Sequence, residues 1–130
     1  MDALERLLTE RAVERMIADY AALNDAGDWA AVAAMYVPEG RMSRPTAPDA
    51  FVEGRDAILA AFQARPARAS RHVVANIRVV LAGDGATATS QILLFTAADK
   101  LPLVGTYADR LVLTDEGWRF IERRGSLDFT

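Results

Sequence analysis

Two side chains that could move a proton lie far apart in the sequence, at Asp25 and His72. Asp25 falls in the last turn of a predicted helix, where the negative end of the helix dipole disfavours a carboxylate. The nearby Asp28 can cap the next helix, whereas Asp25 has no comparable local role. A carboxylate that accepts a hydrogen bond from one imidazole nitrogen fixes the tautomer and makes the imidazole more basic. If the fold brings Asp25 to His72, the pair could therefore act as a general base.

His72 lies in a β-branched run from Arg71 to Leu81 that predicts a long strand. The side-chain period of two gives this strand one entirely apolar face, which consists of Val73, Ala75, Ile77 and Val79. The opposite face carries His72, Val74, Asn76 and Arg78. We expect the apolar face to pack on other protein, so that His72 and Asn76 face the space enclosed by the concave side of the sheet.

Further polar side chains are predicted to share this enclosed space. Tyr20 and Asn24 end the apolar stripe of the first long helix. Tyr107 and Asp109 share one face of a later strand. The predicted substrate-binding residues combine polar groups with apolar wall residues, and they are Tyr20, Asn24, Met42, Phe51, Val74, Asn76 and Tyr107.

Structural roles are the alternatives for these residues. A single histidine on a strand is more often structural than catalytic, and Asp25 could instead bond backbone amides of the next turn. Asp109 could pair with its neighbour Arg110 at the surface. Arg123 and Arg124 alternate on the last strand, so only one of them can point inward, and the usual expectation is that both are solvated or paired. Spacing alone leaves these alternatives open.

The composition limits the kind of site that is possible. A length of 130 residues suits one domain, which we place at residues 1–130. The lack of cysteine and the single histidine exclude disulfides, thiolate sites and multi-histidine metal ligation. The net charge of -3 and the scattered arginines argue against a nucleic-acid partner. Apolar runs are too short to cross a bilayer and the N-terminus lacks a secretory signal, so we expect a cytoplasmic protein without a membrane partner.

Helices are predicted ahead of most of the strands. An N-cap at Thr9 starts the first long helix, and the stops at Pro38 and Pro66 end the second and third. Tyr36 is predicted to face inward from the second helix. The predicted helices span residues 9–24, 29–37 and 54–64, with a separate short helix possible at residues 4–8. Residues 46–50 are predicted to form a loop that could act as a lid.

Alternating patterns predict the strands. The predicted strands span residues 40–44, 71–81, 86–97, 103–114 and 118–127. The last four form two hairpins, because the sequences at residues 83–85 and 115–117 are typical of turns. This order indicates an α+β domain, in which a strongly curved antiparallel sheet wraps around three N-terminal helices.

Five motifs in this order resemble a known family. They are Tyr20 with Asp25-Ala26-Gly27-Asp28-Trp29, Glu53-Gly54-Arg55-Asp56-Ala57-Ile58, Arg71-His72-Val73-Val74-Ala75-Asn76, Gly105-Thr106-Tyr107 and Gly117-Trp118-Arg119-Phe120. From about residue 9 to residue 128, the chain is similar to the SnoaL-like branch of the NTF2-like superfamily. The resemblance implies a cone of three helices and a curved sheet, with an apolar pocket at its open end. It also implies a homodimer formed through the outer face of the sheet.

Within that superfamily, scytalone dehydratases and hexachlorocyclohexane dehydrochlorinases use an Asp-His pair, to which Asp25 and His72 are similar by motif. The resemblance implies proton abstraction from carbon with loss of a leaving group, without a metal or an organic cofactor. Scytalone dehydratase has a second pocket histidine that this chain lacks. The catalytic aspartate of ketosteroid isomerases corresponds here to Arg44, which excludes their mechanism.

These observations favour a cofactor-independent lyase or isomerase whose partner is a small apolar ligand, expected to be cyclic. His72 would remove the proton, Asp25 would orient the imidazole, and Tyr20, Asn76 or Tyr107 would bond an oxygen or the leaving group. Two alternatives stay open, because this scaffold serves unrelated functions. One is a binding protein for a hydrophobic metabolite, and the other is a structural subunit of a larger complex.

Overall fold

The computed structural model describes residues 1–129, and within them the chain forms three helices and six strands. Their bounds in chain order are α1 Ala3–Ala26, α2 Trp29–Ala34, β1 Tyr36–Arg44, β2 Ala47–Glu53, α3 Arg55–Gln63, β3 Arg71–Ala82, β4 Gly85–Phe95, β5 Leu103–Thr114 and β6 Gly117–Leu127. The strands form one curved, unclosed sheet in the order β2-β1-β6-β5-β4-β3. The prediction of an α+β fold is confirmed. One pairing, β1 with β6, is parallel, and the sequence pattern did not predict it.

Helix α1 is one continuous helix, so the prediction of a separate short helix before an N-cap at Thr9 is wrong. The cap is Asp2, whose side chain accepts from the Glu5 amide while the Glu5 side chain accepts from the Asp2 amide. Such a reciprocal cap stabilises a helix start by about 1 kcal/mol. The Thr9 hydroxyl donates to the Glu5 carbonyl inside the helix. At the other end, Gly27 takes the predicted left-handed conformation with a φ of 71°.

The chain from residue 35 to residue 53 contains more strand than predicted. Helix α2 ends at Ala34, so Tyr36 opens β1 and pairs with Phe120 instead of lying on the helix. Pro38 lies inside β1, where the pairing with β6 is irregular and a missing N–H is tolerated. Residues 47–53 form β2 on the edge of the sheet, so the predicted loop at 46–50 is wrong and offers no lid.

Strand β3 contains a bulge that interrupts the predicted alternation. Its pairing with β4 shifts between Ala75 and Arg78, and Asn76 lies there with a φ of 53°. Asparagine adopts this left-handed conformation more readily than most residues. One extra residue exchanges the two faces of the strand. As a result Val74 packs on the core from one side of the bulge, whereas Ile77 packs on it from the other. The prediction of one uninterrupted apolar face is therefore wrong.

The core lies between α1 and the inner face of the sheet. The ring of Tyr20 meets the Phe120 ring edge to face, with the centroids 5.5 Å apart. Trp29 of α2 stacks on Phe62 of α3 at 5.2 Å. The fully buried apolar residues of this core are Val13, Ile17, Val32, Tyr36, Ile58 and Phe120. Among residues 1–129, no helix combines the length and the apolar character needed to cross a membrane.

Candidate active site

The end of α1 and the start of β3 bring Asp25 and His72 into direct contact. The Asp25 Oδ1 atom lies 2.6 Å from the His72 Nδ1 atom. The His72 backbone amide donates to Asp25 Oδ2 at 2.8 Å, and the Ser70 hydroxyl donates to Oδ1 at 3.0 Å. The Asp25 carboxylate therefore connects the last turn of α1 to the start of β3. Neither Ser70 nor the backbone amide carried a signal in the sequence.

The contact also fixes which imidazole nitrogen donates a hydrogen bond. A carboxylate can only accept, so Nδ1 donates and Nε2 of the neutral ring has a free lone pair. The side chains of Asp25 and His72 are 14% and 11% exposed, so water screens their interaction only weakly. Arg71 Nε lies 3.8 Å from the same carboxylate, but its side chain is 79% exposed and contributes little. In this arrangement the Asp25 carboxylate orients the His72 imidazole, which can act as a base through Nε2.

His72 lines a cavity of about 350 Å³ that opens between α1, α3 and the sheet. Its apolar wall consists of Met42, Pro45, Phe62, Pro66, Ile92, Leu94, Leu103 and Leu127. Three further residues predicted to bind substrate also line it, namely Tyr20, Asn24 and Tyr107. Val74 instead lines a cavity of about 10 Å³ behind His72. The volume of the larger cavity suits one small organic molecule.

Two predicted substrate-binding residues, Phe51 and Asn76, do not line this cavity. Phe51 lies on the edge strand β2, where the Arg41 guanidinium stacks on its ring with 3.9 Å between Cζ and the centroid. Asn76 is exposed at the bulge of β3. Phe51 lies away from the cavity because residues 47–53 are a strand at the sheet edge, and Asn76 does so because the bulge turns it to solvent.

Tyrosine hydroxyls supply hydrogen-bond donors at the cavity. The Tyr20 hydroxyl lies 2.9 Å from the Tyr36 hydroxyl, so one of these two buried hydroxyls donates a hydrogen bond to the other. Burial raises the pKa of Tyr20, and the nearby Arg123 charge offsets part of that rise. Burial raises the pKa of Tyr107 to about 12. Tyr107 therefore stays protonated at neutral pH and can donate a hydrogen bond to a ligand.

Arg123 is the residue that the sequence patterns missed. It is 1% exposed, and its Nε donates to Asp109 Oδ1 at 2.9 Å. Its Cζ lies 4.3 Å from the Tyr20 ring centroid and 3.9 Å from that of Tyr107. Burial lowers the pKa of Arg123, but the Asp109 carboxylate together with Tyr107, Tyr20 and Tyr36 raises it above its ordinary value, so the guanidinium stays charged. The next residue, Arg124, points outward and donates a hydrogen bond to Asp49.

The sequence signals for this buried pair were that Asp109 shares a strand face with Tyr107 and that only one of Arg123 and Arg124 can point inward. The two residues are direct partners across β5 and β6. A register shift between Arg110 and Leu111 sets which residues of β6 face inward, and no sequence period encodes it. Within residues 1–129, no group of three or more His, Cys, Asp or Glu side chains is placed to hold a metal ion.

Several solved structures are similar to this chain over most of its length. A candidate scytalone dehydratase from Novosphingobium aromaticivorans DSM 12444 is 27% identical, with a TM-score of 0.84, over 95% of this chain and 87% of that one. An NTF2-like protein with a cystatin-like fold from the same species is 26% identical, with a TM-score of 0.85, over 98% and 87%. The hexachlorocyclohexane dehydrochlorinase LinA-type3 from Novosphingobium barchaimii LL02 is 14% identical, with a TM-score of 0.83, over 98% and 92%, and shares the fold.

The family assignment comes from the sequence. No functionally curated protein matches the chain. The family described as the SnoaL-like domain matches residues 5–124, which include α1 with Asp25 and β3 with His72. Solved structures with this fold include proteins described as dehydratases and as a dehydrochlorinase, which are types of lyase. The resemblance stated from the motifs is confirmed, and the chain belongs to the SnoaL-like domain family.

Proposed function

We propose that the protein is a cofactor-independent lyase or isomerase acting on a small molecule with an apolar, cyclic body. The observation that carries the proposal is the 2.6 Å contact between Asp25 and His72 at the wall of an apolar cavity. The dehydratase name of the 27% identical relative agrees with this reaction type. A base positioned in this way accelerates proton transfer by about 10²- to 10⁴-fold.

In the proposed reaction the free Nε2 of His72 takes a proton from a carbon of the substrate. The electron pair of the broken C–H bond forms a C=C bond. In an elimination, a leaving group on the next carbon departs with its own bonding pair. In an isomerisation, no group leaves; the π pair of an adjacent carbonyl moves onto its oxygen to give an enolate, and the imidazolium then returns the proton to another carbon as the C=O bond re-forms. Asp25 stabilises the imidazolium, and the Tyr107 hydroxyl donates to the substrate oxygen on which negative charge develops.

The first experiment measures deuterium uptake from D₂O into 2-tetralone, together with enone formation from a panel of cyclic β-hydroxy ketones. We expect the native protein to accelerate at least one of these reactions. His72→Gln and Asp25→Asn should each lower that rate by about 10²- to 10⁴-fold. A binding protein without chemistry would show no acceleration, and unchanged rates in His72→Gln would contradict the proposed base.

Asp28→Asn is the matched control for Asp25→Asn. Asp28 lies three residues further along, and its side chain accepts from the Ala31 amide as the cap of α2. Asparagine caps a helix about as well as aspartate, so this variant should keep both fold and rate. An equal loss of rate in Asp28→Asn would show that the loss in Asp25→Asn reflects general damage.

The homodimer through the outer sheet face is also a proposal. On that face Val73, Leu93 and Val104 lie side by side, because Val73 pairs with Leu93 and Leu93 pairs with Val104. Val73 is 45% exposed in the single chain. We expect a dimer by light scattering and a monomer for Val73→Glu, whereas Val73→Thr should stay dimeric. A native monomer at 100 µM would refute this arrangement.

A further inference from the structure

Three arginines line the main cavity without any acidic side chain among its lining residues. They are Arg44 at the end of β1, and Arg65 and Arg68 in the segment between α3 and β3. None of the three takes part in an ion pair within residues 1–129. Most ion pairs of the molecule lie at the surface, where they gain little. The cavity therefore has an excess of positive charge. A negative charge bound there would stabilise these arginines more than it would at the surface, because water screens charges less inside a cavity.

Arg44 makes one side-chain hydrogen bond to residues 1–129 and leaves one buried nitrogen without a partner. Its Nη2 donates to the Ala61 carbonyl of α3 at 3.1 Å. Its Nε is buried and has no hydrogen-bond partner among residues 1–129. A buried donor without a partner costs free energy, and native structures rarely keep one without a reason. An anion bound next to this guanidinium would offset that cost through its charge.

Arg65 lies in the same positive region. Its Cζ is 4.4 Å from the Phe62 ring centroid, so the ring fixes the guanidinium at the cavity wall. Burial lowers the pKa of Arg65, and the charge of Arg44 lowers it further. Two half-buried cations thus repel each other, and no carboxylate of residues 1–129 lines the cavity with them. Arg123 differs sharply, since its charge is buried against Asp109.

We propose that the ligand of this cavity carries a negatively charged group, such as a carboxylate, that binds at Arg44 and Arg65 while its apolar body fills the rest. This proposal rests on the proposed function for the identity of the site. It changes the expected substrate from a neutral molecule to an amphipathic anion. Arg68, which is exposed at the rim, adds attraction during approach.

The test compares two probes of nearly equal shape, 2-naphthoate and the neutral 2-naphthamide, by titration calorimetry at low salt. We expect naphthoate to bind the native protein at least about tenfold more tightly, as two charge-assisted contacts would produce. In Arg44→Met/Arg65→Met the preference for naphthoate should disappear. Methionine keeps an apolar stem of similar length, and the single variant Arg65→Met serves if the double variant does not fold.

Arg78→Met is the matched control, because Arg78 is an exposed arginine on β3 that does not line the cavity. It should keep the full preference for naphthoate. Equal or undetectable binding of the two probes to the native protein would overturn the proposal. So would a preference that survives in both arginine variants.

A further variant separates this proposal from the proposed reaction. His72→Gln removes the imidazole and should lower turnover by about 10²- to 10⁴-fold, yet it should leave the preference for naphthoate intact. Retained preference with unchanged turnover would refute the base and keep the anion site. Loss of the preference in His72→Gln would assign the attraction to the imidazole and overturn the role of Arg44 and Arg65.

Discussion

Two acid–base pairs are built into this molecule, and their partners and surroundings give them different properties. Asp25 and His72 meet at the cavity wall, and each side chain keeps some exposure. Asp109 and Arg123 meet beneath the cavity, and their side chains are 0% and 2% exposed. A guanidinium does not release its proton at any working pH, whereas an imidazole does. The same carboxylate therefore supports proton transfer in one place and a fixed charge in the other.

The buried pair of Asp109 and Arg123 is surrounded by aromatic rings. The Arg123 guanidinium lies over the rings of Tyr20 and Tyr107, which themselves line the cavity. A buried cation on two ring faces holds both rings in place. The inner pair, Asp109 and Arg123, thus holds in place two rings of the cavity at whose wall the outer pair, Asp25 and His72, lies. Removing one should damage stability, and removing the other should damage chemistry.

The largest expected effect is on stability, from Arg123→Met. This variant leaves the Asp109 carboxylate buried without its partner, which typically costs about 3–5 kcal/mol in the free energy of unfolding. Urea denaturation followed by circular dichroism measures this loss. A cost below about 1 kcal/mol would show that Asp109 is protonated or hydrated in the folded state.

Arg124→Met is the control on the same strand. Arg124 pairs with Asp49 at 3.2 Å, but the Asp49 side chain is 91% exposed. We expect the free energy of unfolding to change by about 1 kcal/mol or less. Similar losses in Arg123→Met and Arg124→Met would remove the distinction between a buried and a surface pair.

The next effect concerns alkaline pH and the Tyr107 ring above Arg123. The pKa of Tyr107 is raised from 10.0 to about 12 in the folded state. Between these values the unfolded chain loses the phenol proton while the folded chain keeps it, so stability falls as pH rises from about 10 to about 12. The shift corresponds to roughly 3 kcal/mol. Tyr107→Phe should make this fall less steep, while Tyr20 and Tyr36, whose pKa values burial also raises, maintain the rest of it. An unchanged slope would place the Tyr107 hydroxyl in water.

The smallest effect is on stability when the outer pair is changed. Asp25→Asn should lower the free energy of unfolding by about 1–2 kcal/mol, because it weakens bonds to the His72 amide and to Ser70 that are partly exposed. Thermal denaturation at neutral pH measures this loss. A loss as large as that of Arg123→Met would make Asp25 mainly structural and would weaken the catalytic proposal.

Much of the fold was predictable from local patterns. The turns at residues 83–85 and 115–117 and the alternating runs around them defined β3 to β6, because hairpin turns and strand periods are local properties. The helix at 55–63 and the left-handed Gly27 followed from single residues of known preference. The error at Tyr36 occurred where pairing with the distant strand β6 overrides local preference. The error at Thr9 had a local cause, because the reciprocal cap of Asp2 and Glu5 starts the helix earlier. Residues 47–53 form a strand because they pair with the adjacent β1.

The candidate site divides in the same way. The residue types of Asp25 and His72, and the lack of a local role for Asp25, pointed to a pair before any coordinates. Asn76 was misplaced because a single left-handed residue exchanged the faces of β3. A bulge is determined by the curvature that the whole sheet must adopt, so a period of two cannot reveal it.

The sequence by itself determined the family, the α+β class and the supply of groups that could move a proton. Local propensities and motif order depend only on neighbouring residues, and both can be read along the chain. The tertiary structure decided that Arg123 and not Arg124 is buried, that Asp109 is its partner, and that three arginines border the cavity. These outcomes depend on strand register and on charge burial, which exist only once distant segments pack together.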